Sequence, residues 1–338
     1  MAGGERSTGT VKLASLRGGG RDGTLVVVDR DLERAVEVPD IAPTLLHALE
    51  QWPRAAPELA AVYEQLCGGA KRGSFPLAVE ELASPLPRCH QFLDGSVYLH
   101  HMEQARKARG AAMPPNYKTE PLLYQGPSNA FDGPTQPMVL ADEALQLDYE
   151  PEIAVVLDDV PMGTLVQDAS QHVKLVMLLN DYTLRALTLT ELPKGFGFMQ
   201  AKPTSSFSPV ALSVDELGAL WDAERFHLEV TSAVNGKQMG RADAAVGMFF
   251  TYPQLIAYAA RTRVLSAGTI LGAGAISNPD PATGYGCIAE ARVTEQMESG
   301  EAKTPFLRFG DTVRIDALDR TGGELFGALE QTIVPPGV

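Results

Sequence analysis

The stretch Leu147-Asp-Tyr-Glu-Pro-Glu-Ile-Ala-Val-Val-Leu157 sets two carboxylates two positions apart at the mouth of an apolar run. A run rich in Ile and Val is a buried strand by composition, and on a strand residues two apart share a face. Glu150 and Glu152 therefore point the same way, and Asp148 joins them if the strand extends that far. Two like charges side by side repel and lose hydration, so a shared proton, a basic partner or a metal must neutralise them. No Lys or Arg lies within the stretch. The next apolar run, Val176-Met-Leu-Leu-Asn-Asp181, again ends on a carboxylate. Glu150, Glu152 and Asp181 gathered on one cation form an all-oxygen site, which selects hard ions: Mg2+ or Ca2+, with Mn2+ tolerated. The competing reading is a set of solvated strand-end charges.

The elements that position these acids are legible in outline. Residues 11–16, 24–29 and 35–38 read as short strands separated by Gly-rich turns, and 42–66 as two helices with Leu45, Leu46 and Leu49, then Leu59, Val62, Tyr63 and Leu66 at helical spacing. The chain turns Gly- and Pro-rich over 68–88, which places a domain boundary near residue 85. Residues 1–10, Gly-rich and mixed in charge, read as a disordered leader; 11–85 as a small N-terminal α/β domain; 86–338 as the larger domain that carries the acids. In the larger part, Val/Ile/Leu runs at 153–157, 173–179, 226–230 and 312–315 alternate with Gly/Pro/Asn/Asp turns, interrupted by a few helices. A capping box at Ser213-Val-Asp-Glu216 predicts a helix over 216–221, and 253–261 reads as another with proline at its start. The expected class is α+β and β-rich, without the regular strand–helix alternation of a doubly wound sheet.

Composition excludes several functions. A net charge of -14 repels phosphate backbones, so nucleic acid is not an expected partner. No run of eighteen apolar residues is present, so no membrane helix is expected. Cys67, Cys89 and Cys287 are odd in number and far apart, forming neither a metal-spaced cluster nor a disulfide framework, which fits a reducing cytosol. Leu271-Gly-Ala-Gly-Ala-Ile lacks the spacing and the following helix of a dinucleotide fingerprint.

Three segments in order, Leu-Asp-Tyr-Glu150-Pro-Glu152-Ile-Ala-Val-Val, Leu-Asn-Asp181-Tyr-Thr-Leu-Arg185 and Gln-Ala-Lys202-Pro, resemble the fumarylacetoacetate hydrolase family. There a D-x-E-x-E strand and an N-D-x-x-x-R segment supply metal ligands, and a lysine some twenty residues on faces the substrate. Asp94-Gly-Ser-Val-Tyr98-Leu-His100-His101, followed by Arg106 and Arg109, looks like that family's N-terminal active-site segment, and Leu123-Tyr124-Gln-Gly126 like a later substrate-facing stretch. Gly274-Ala-Ile-Ser-Asn-Pro, then Gly286-Cys-Ile-Ala-Glu290, is similar to the G-T-I-S-G-P…G-S-x-L-E block of the longer members. The likeness covers about residues 90–320.

The resemblance implies a fold, a reaction and roles. The fold is a mixed β-sandwich or roll with a small N-terminal domain. The reaction is metal-dependent hydrolysis of a carbon–carbon bond in a 1,3-dicarbonyl acid of the fumarylacetoacetate or acylpyruvate kind, in aromatic-compound catabolism, by a cytoplasmic homodimer. Glu150, Glu152, Asp181 and Asp94 would be metal ligands, for Mg2+ with Ca2+ or Mn2+ as alternatives. His101 would be the general base, whose near-neutral intrinsic pKa suits it to take a proton from water. Its orienting carboxylate is Glu290 by likeness to long members and Glu103 by likeness to short ones. Lys202 would neutralise an enolate or a substrate carboxylate. Tyr98, Tyr124 and Arg109 would contact substrate, and Arg185 would brace the metal carboxylates and border the substrate. Ala275 stands where fumarylacetoacetate-cleaving members have threonine, Pro151 where glycine or leucine is usual, and a glutamine expected near Thr188 is absent; these departures bear on the substrate. The same scaffold supports 2-oxo acid decarboxylation and dienoate hydration or isomerisation, and a non-catalytic small-molecule or metal-binding protein is the alternative from another class.

Overall fold

A computed structural model of the chain describes residues 9–70, 72–319 and 321–337. The expected leader therefore lies outside the described residues except for Gly9 and Thr10. An eleven-stranded sheet runs from Phe75–Pro76 through Arg34–Glu37, Thr24–Val28, Lys12–Leu16, Ala211–Ser213, Val173–Asn180, Pro151–Leu157, Ile270–Gly272 and Phe92–Gly95 to Leu123–Gly126, with Ser206–Phe207 paired beside Val173–Asn180. Its pairings are antiparallel except for Ile270–Gly272 against Phe92–Gly95. A five-stranded sheet, Lys237–Asp243, Glu229–Val234, Thr312–Leu318, Leu329–Val334 and Met138–Val139, stands against it.

The strand Pro151–Leu157 shows why the sheet lies in the middle of the molecule. All seven of its residues are buried. Ile153, Val155 and Leu157 join a core that includes Val230, Ile315 and Leu329 of the five-stranded sheet. Ala154 and Val156 point to the other face, into a core with Leu45, Leu49, Trp52 and Leu59 of the helices Leu45–Glu50 and Trp52–Cys67. The same alternation splits Val176 and Leu178 from Leu175, Met177 and Leu179 on the neighbouring strand. A continuous Val/Ile/Leu run is what a strand covered on both faces requires. The expected α+β, strand-rich architecture of sandwich or roll type is thus borne out.

The Pro-rich segment near residue 85 does not separate two cores. Lys12–Leu16 pairs with Ala211–Ser213, so one ladder continues across the boundary in sequence, and Leu59 and Val156 share one apolar cluster. The capping box at residue 213 is not formed. The Ser213 hydroxyl accepts from Val11 N at 3.0 Å and Glu216 accepts from the Tyr63 hydroxyl at 2.9 Å, so both side chains tie the N-terminal segment to the rest. The α-helix after Ser213 is a single turn, Val214–Leu217, rather than a helix over 216–221.

Candidate active site

Strand ends from one sheet build the acidic floor, with Ile270–Gly272 lying between the strands of Asp94 and Glu152. Gly272 is in register with both Asp94 and Ala154, and Glu152 with Leu179. The ladder is extended by Asp181 N donating to Glu150 O at 3.0 Å. Asp94, Glu152 and Asp181 consequently offer carboxylate oxygens that all lie within 4.8 Å of one another, in the interior. Gly272 makes the approach possible: a Cβ there would collide with Asp94 Oδ1 and lie 3.0 Å from Glu152 Oε2. Glu152 Oε2 accepts from Gly274 N at 2.9 Å, and Asp181 Oδ1 from the Ser205 hydroxyl at 2.8 Å.

Asp94 Oδ1 and Glu152 Oε1 are buried and receive no donor from any other residue, so the hydrogen bond open to these two carboxyls is a proton shared between them. Burial, then the charge of Asp181, pushes the Asp94 carboxyl up to about 7. Burial, followed by the charges of Asp94 and Asp181, pushes Glu152 well above the carboxylate range. Carboxyls that resist ionisation and have no donor from elsewhere mark the Asp94–Glu152 side of the trio as short of positive charge. The trio therefore fits a hard divalent cation held by oxygen.

Glu150, expected with Glu152 and Asp181 as one of three primary ligands, is not in that cluster, and Asp94, expected as the fourth, takes its place. Lys202 Nζ lies 2.6 Å from its Oε2, and Arg185 Nη2 lies 2.7 Å from its Oε1. Burial would raise this carboxyl, but Lys202, Arg185 and His101 outweigh it and hold Glu150 below its ordinary range. Lys202 also reaches Asp181 Oδ2 at 2.5 Å. Its ammonium bridges Glu150 and Asp181 and is held above its ordinary pKa by these acids, against the effect of burial. Asp148 does not face the floor. Its oxygens accept from Ile288 N and Ala289 N, at 2.8 and 2.9 Å, and from Arg185 Nε at 2.8 Å. It thereby caps the helix Ile288–Ser299, whose own N-cap Cys287 makes no side-chain cap bond.

That helix delivers Glu290. Its Oε1 lies 2.6 Å from His101 Nδ1, while Oε2 accepts from Gly286 N at 2.7 Å and the Ser277 hydroxyl at 3.0 Å. Burial works to raise Glu290, but the His101 hydrogen bond and charge and these donors hold it below its ordinary range. An ionised Glu290 only accepts, so Nδ1–H makes the short contact and Nε2 is the ring atom left to exchange a proton. Nε2 lies 3.6 Å from Glu150 Oε1.

Asp94, His101, Arg109, Tyr124, Glu150, Arg185 and Lys202 line one cavity of about 650 Å³. The Tyr124 hydroxyl donates to Asp181 Oδ2 at 2.5 Å, and the ring meets Phe198 edge-on. Two expectations need correction. Tyr98 is a core residue, 2% exposed, whose hydroxyl donates to Ala244 O at 2.6 Å away from the cavity. Glu103 is exposed and does not reach His101: both ride the helix Leu99–Ala108, where residues two apart point about 200° from one another. Arg106, in the segment singled out by resemblance but given no role there, borders the cavity with its Nε buried and unpartnered. Cys287, set aside on sequence spacing, comes within 4.8 Å of ligand atoms of His101 and Glu290. The Cys287 contact has no local sequence signal, because it depends on where a distant helix docks.

Comparison with known proteins agrees with the geometry. Residues 91–334 match the model for the fumarylacetoacetate (FAA) hydrolase C-terminal domain, and residues 11–88 that for fumarylacetoacetase N-terminal domain 2. A fumarylacetoacetase of Arabidopsis thaliana is 26% identical over 242 residues, covering 62% of this chain and 55% of that protein. The crystal structure of maleylpyruvate hydrolase from Sphingobium sp. SYK-6, in complex with manganese (II) ion and pyruvate, shares the fold at TM-score 0.62 and 17% identity, over 96% of this chain and 99% of that one. That of 2-hydroxyhepta-2,4-diene-1,7-dioate isomerase from Mycobacterium marinum does so at TM-score 0.58 and 16% identity, over 97% and 100%.

Proposed function

This chain belongs to the fumarylacetoacetate hydrolase family, and from that premise we propose that it is a metal-dependent hydrolase cleaving a carbon–carbon bond in a 1,3-dicarbonyl acid. The family's named members include hydrolases, isomerases and tautomerases, so the reaction has to be argued from the site. The observation that carries the proposal is one cavity lined by a carboxylate-oriented imidazole, a buried lysine and Asp94, the face of a carboxylate trio whose other members, Glu152 and Asp181, lie behind it. Hydrolysis needs all three: a base for water, fixed positive charge for the developing oxyanion, and stabilisation of the departing enolate.

Asp94, Glu152 and Asp181 would hold Mg2+ or Mn2+, with Glu150 alongside; the ion supplies Lewis acidity toward the dicarbonyl oxygens. His101 Nε2 takes a proton from water while Glu290 holds Nδ1–H and stabilises the imidazolium that results. Lys202 offers an ammonium to negative charge that develops on the substrate. Arg109 and Arg106 border the same cavity; burial and the like charges of Arg106 and Arg185 lower Arg109 to about 10. Guanidinia crowded in this way suit an anionic substrate. Pairing into homodimers and a cytoplasmic location belong to the same proposal; described residues contain no helix long and apolar enough to cross a membrane.

The test is turnover of fumarylacetoacetate, fumarylpyruvate, acetylpyruvate and oxaloacetate, with EDTA and with restored Mg2+ or Mn2+. Hydrolysis of an acylpyruvate or fumarylacetoacetate that EDTA abolishes and the metal restores is the expected result. Full activity in EDTA removes the metal. Decarboxylation or isomerisation without hydrolysis moves the chain to another reaction on the same scaffold.

A further inference from the structure

The described residues hold a second cluster able to ligate metal, of different chemistry from the carboxylate trio. One ligand atom each from His101, Cys287 and Glu290 lie within 4.8 Å of one another, all three residues buried. The set is nitrogen, sulfur and oxygen. Such a set is poor for Mg2+, which demands oxygen and keeps its water, and good for zinc, whose structural and catalytic sites are built of His, Cys and carboxylate. Cys287 is fully buried and unoxidised, and it sits one position before the helix Ile288–Ser299 without spending its sulfur on a cap bond. His101 lines the cavity, which gives an ion its way in.

The geometry points to an inhibitory zinc site formed by His101 Nδ1, Cys287 Sγ and Glu290, distinct from the site of the catalytic metal. Binding is balanced without any redox step. Zinc bonds to the thiolate sulfur, and the thiol proton leaves to solvent. It also bonds to Nδ1, whose proton moves to Nε2, and to the Glu290 carboxylate already 2.6 Å from Nδ1. A cavity water completes a four-coordinate shell. The consequence is specific: Nε2 now carries the proton and has no lone pair for water, and Glu290 is drawn onto the ion. A borderline-soft ion thus shuts off the base while a hard ion remains in the carboxylates. Loss of one proton per zinc makes affinity rise with pH. The inhibitory half of this inference rests on His101 acting as the base; the binding half does not.

The test uses the full-length protein saturated with Mg2+. Zinc is titrated against a chromophoric chelator, and in parallel Co2+ is added as a spectroscopic stand-in whose bond to thiolate gives a near-ultraviolet charge-transfer band. One tight zinc per chain and a thiolate–cobalt band are expected in the unaltered protein. Cys287→Ser and Cys287→Ala should both lose the band, keep turnover, and need at least about tenfold more zinc for half-inhibition. Zinc that is displaced by excess Mg2+, inhibition equal in the unaltered protein and both variants, or no band in the unaltered protein would each overturn the site. A band without turnover on any acid tested keeps the site and sinks the hydrolase reading instead. Should a variant fail to fold, the band and its competition by zinc in the unaltered protein still decide.

Discussion

Glu290 Oε1 lies 2.6 Å from His101 Nδ1 although the two residues are 189 positions apart. A contact of that span is made by tertiary structure alone. Asp148, next to the acidic strand, fixes it by capping the helix that carries Glu290 while also bonding Arg185, which holds Glu150. The base and the acidic floor are therefore braced through one buried carboxylate, 0% exposed.

If His101 is the base, His101→Ala should lower kcat by about 100- to 10,000-fold, the usual worth of a positioned proton acceptor. Metal binding, read by calorimetry, should persist, because the imidazole is not one of the three clustered carboxylates. Glu290→Gln keeps the shape but offers a neutral acceptor, and it should fall between the two. An unchanged kcat in His101→Ala would remove the histidine from the reaction.

Metal binding should be strongly pH-dependent. Asp94 is raised to about 7, and Glu152 is raised well above its ordinary range, by burial first and then by neighbouring acids. Folded-state values above the unfolded ones mean that these groups favour the metal-free fold at pH below about 4 and lose that contribution as pH rises through 7. A cation replaces the protons, so the gain in Tm on adding Mn2+ should be larger at pH 8 than at pH 5.5. Equal gains at both values would show that the metal does not displace these protons.

Arg106 and Arg109 should set affinity for the acid rather than the rate. Removing a charge-assisted hydrogen bond costs about 1.5–3 kcal/mol. Arg109→Ala and Arg106→Ala should therefore raise KM about 10- to 100-fold with kcat little altered. A fall in kcat at constant KM would place these side chains on the transition state instead.

The acids legible in the sequence were those that a strand period puts together. Glu152 and Asp181 lie at ends of strands whose apolar runs are unmistakable, whereas Asp94, on the short strand Phe92–Gly95, is reached only through the family resemblance. The period does not reveal what a side chain meets beyond its own strand. Glu150 shares the strand-end pattern of Glu152, yet it is claimed by Lys202 and Arg185 from other elements. Asp148 turns to a helix N-terminus 140 residues away, and Tyr98 into the core. The choice between Glu103 and Glu290 as partner of His101 was likewise a question of helix docking, which local spacing does not encode. The Ser213 motif had the right residues for a cap, but its hydroxyl and Glu216 were drawn into longer-range bonds.

The shared core of the N-terminal segment makes the last prediction. Lys12–Leu16 pairs with Ala211–Ser213, and Leu59 lies in one apolar cluster with Val156 and Met177. A segment so joined should not unfold independently, since opening it would expose the apolar face of the central strands. The chain has two tryptophans, one on each side of the sequence boundary: Trp52, 2% exposed, on the helix Trp52–Cys67, and Trp221 stacked on Phe226. Trp52→Phe and Trp221→Phe leave single reporters of the two parts, and both should show one urea midpoint. Leu59→Ala, which removes a fully buried side chain at a cost of about 2–5 kcal/mol, should move both reporters together. An early transition at Trp52 that leaves Trp221 unmoved would mean that the two parts fold as separate units, and that the continuous ladder contributes little to holding them together.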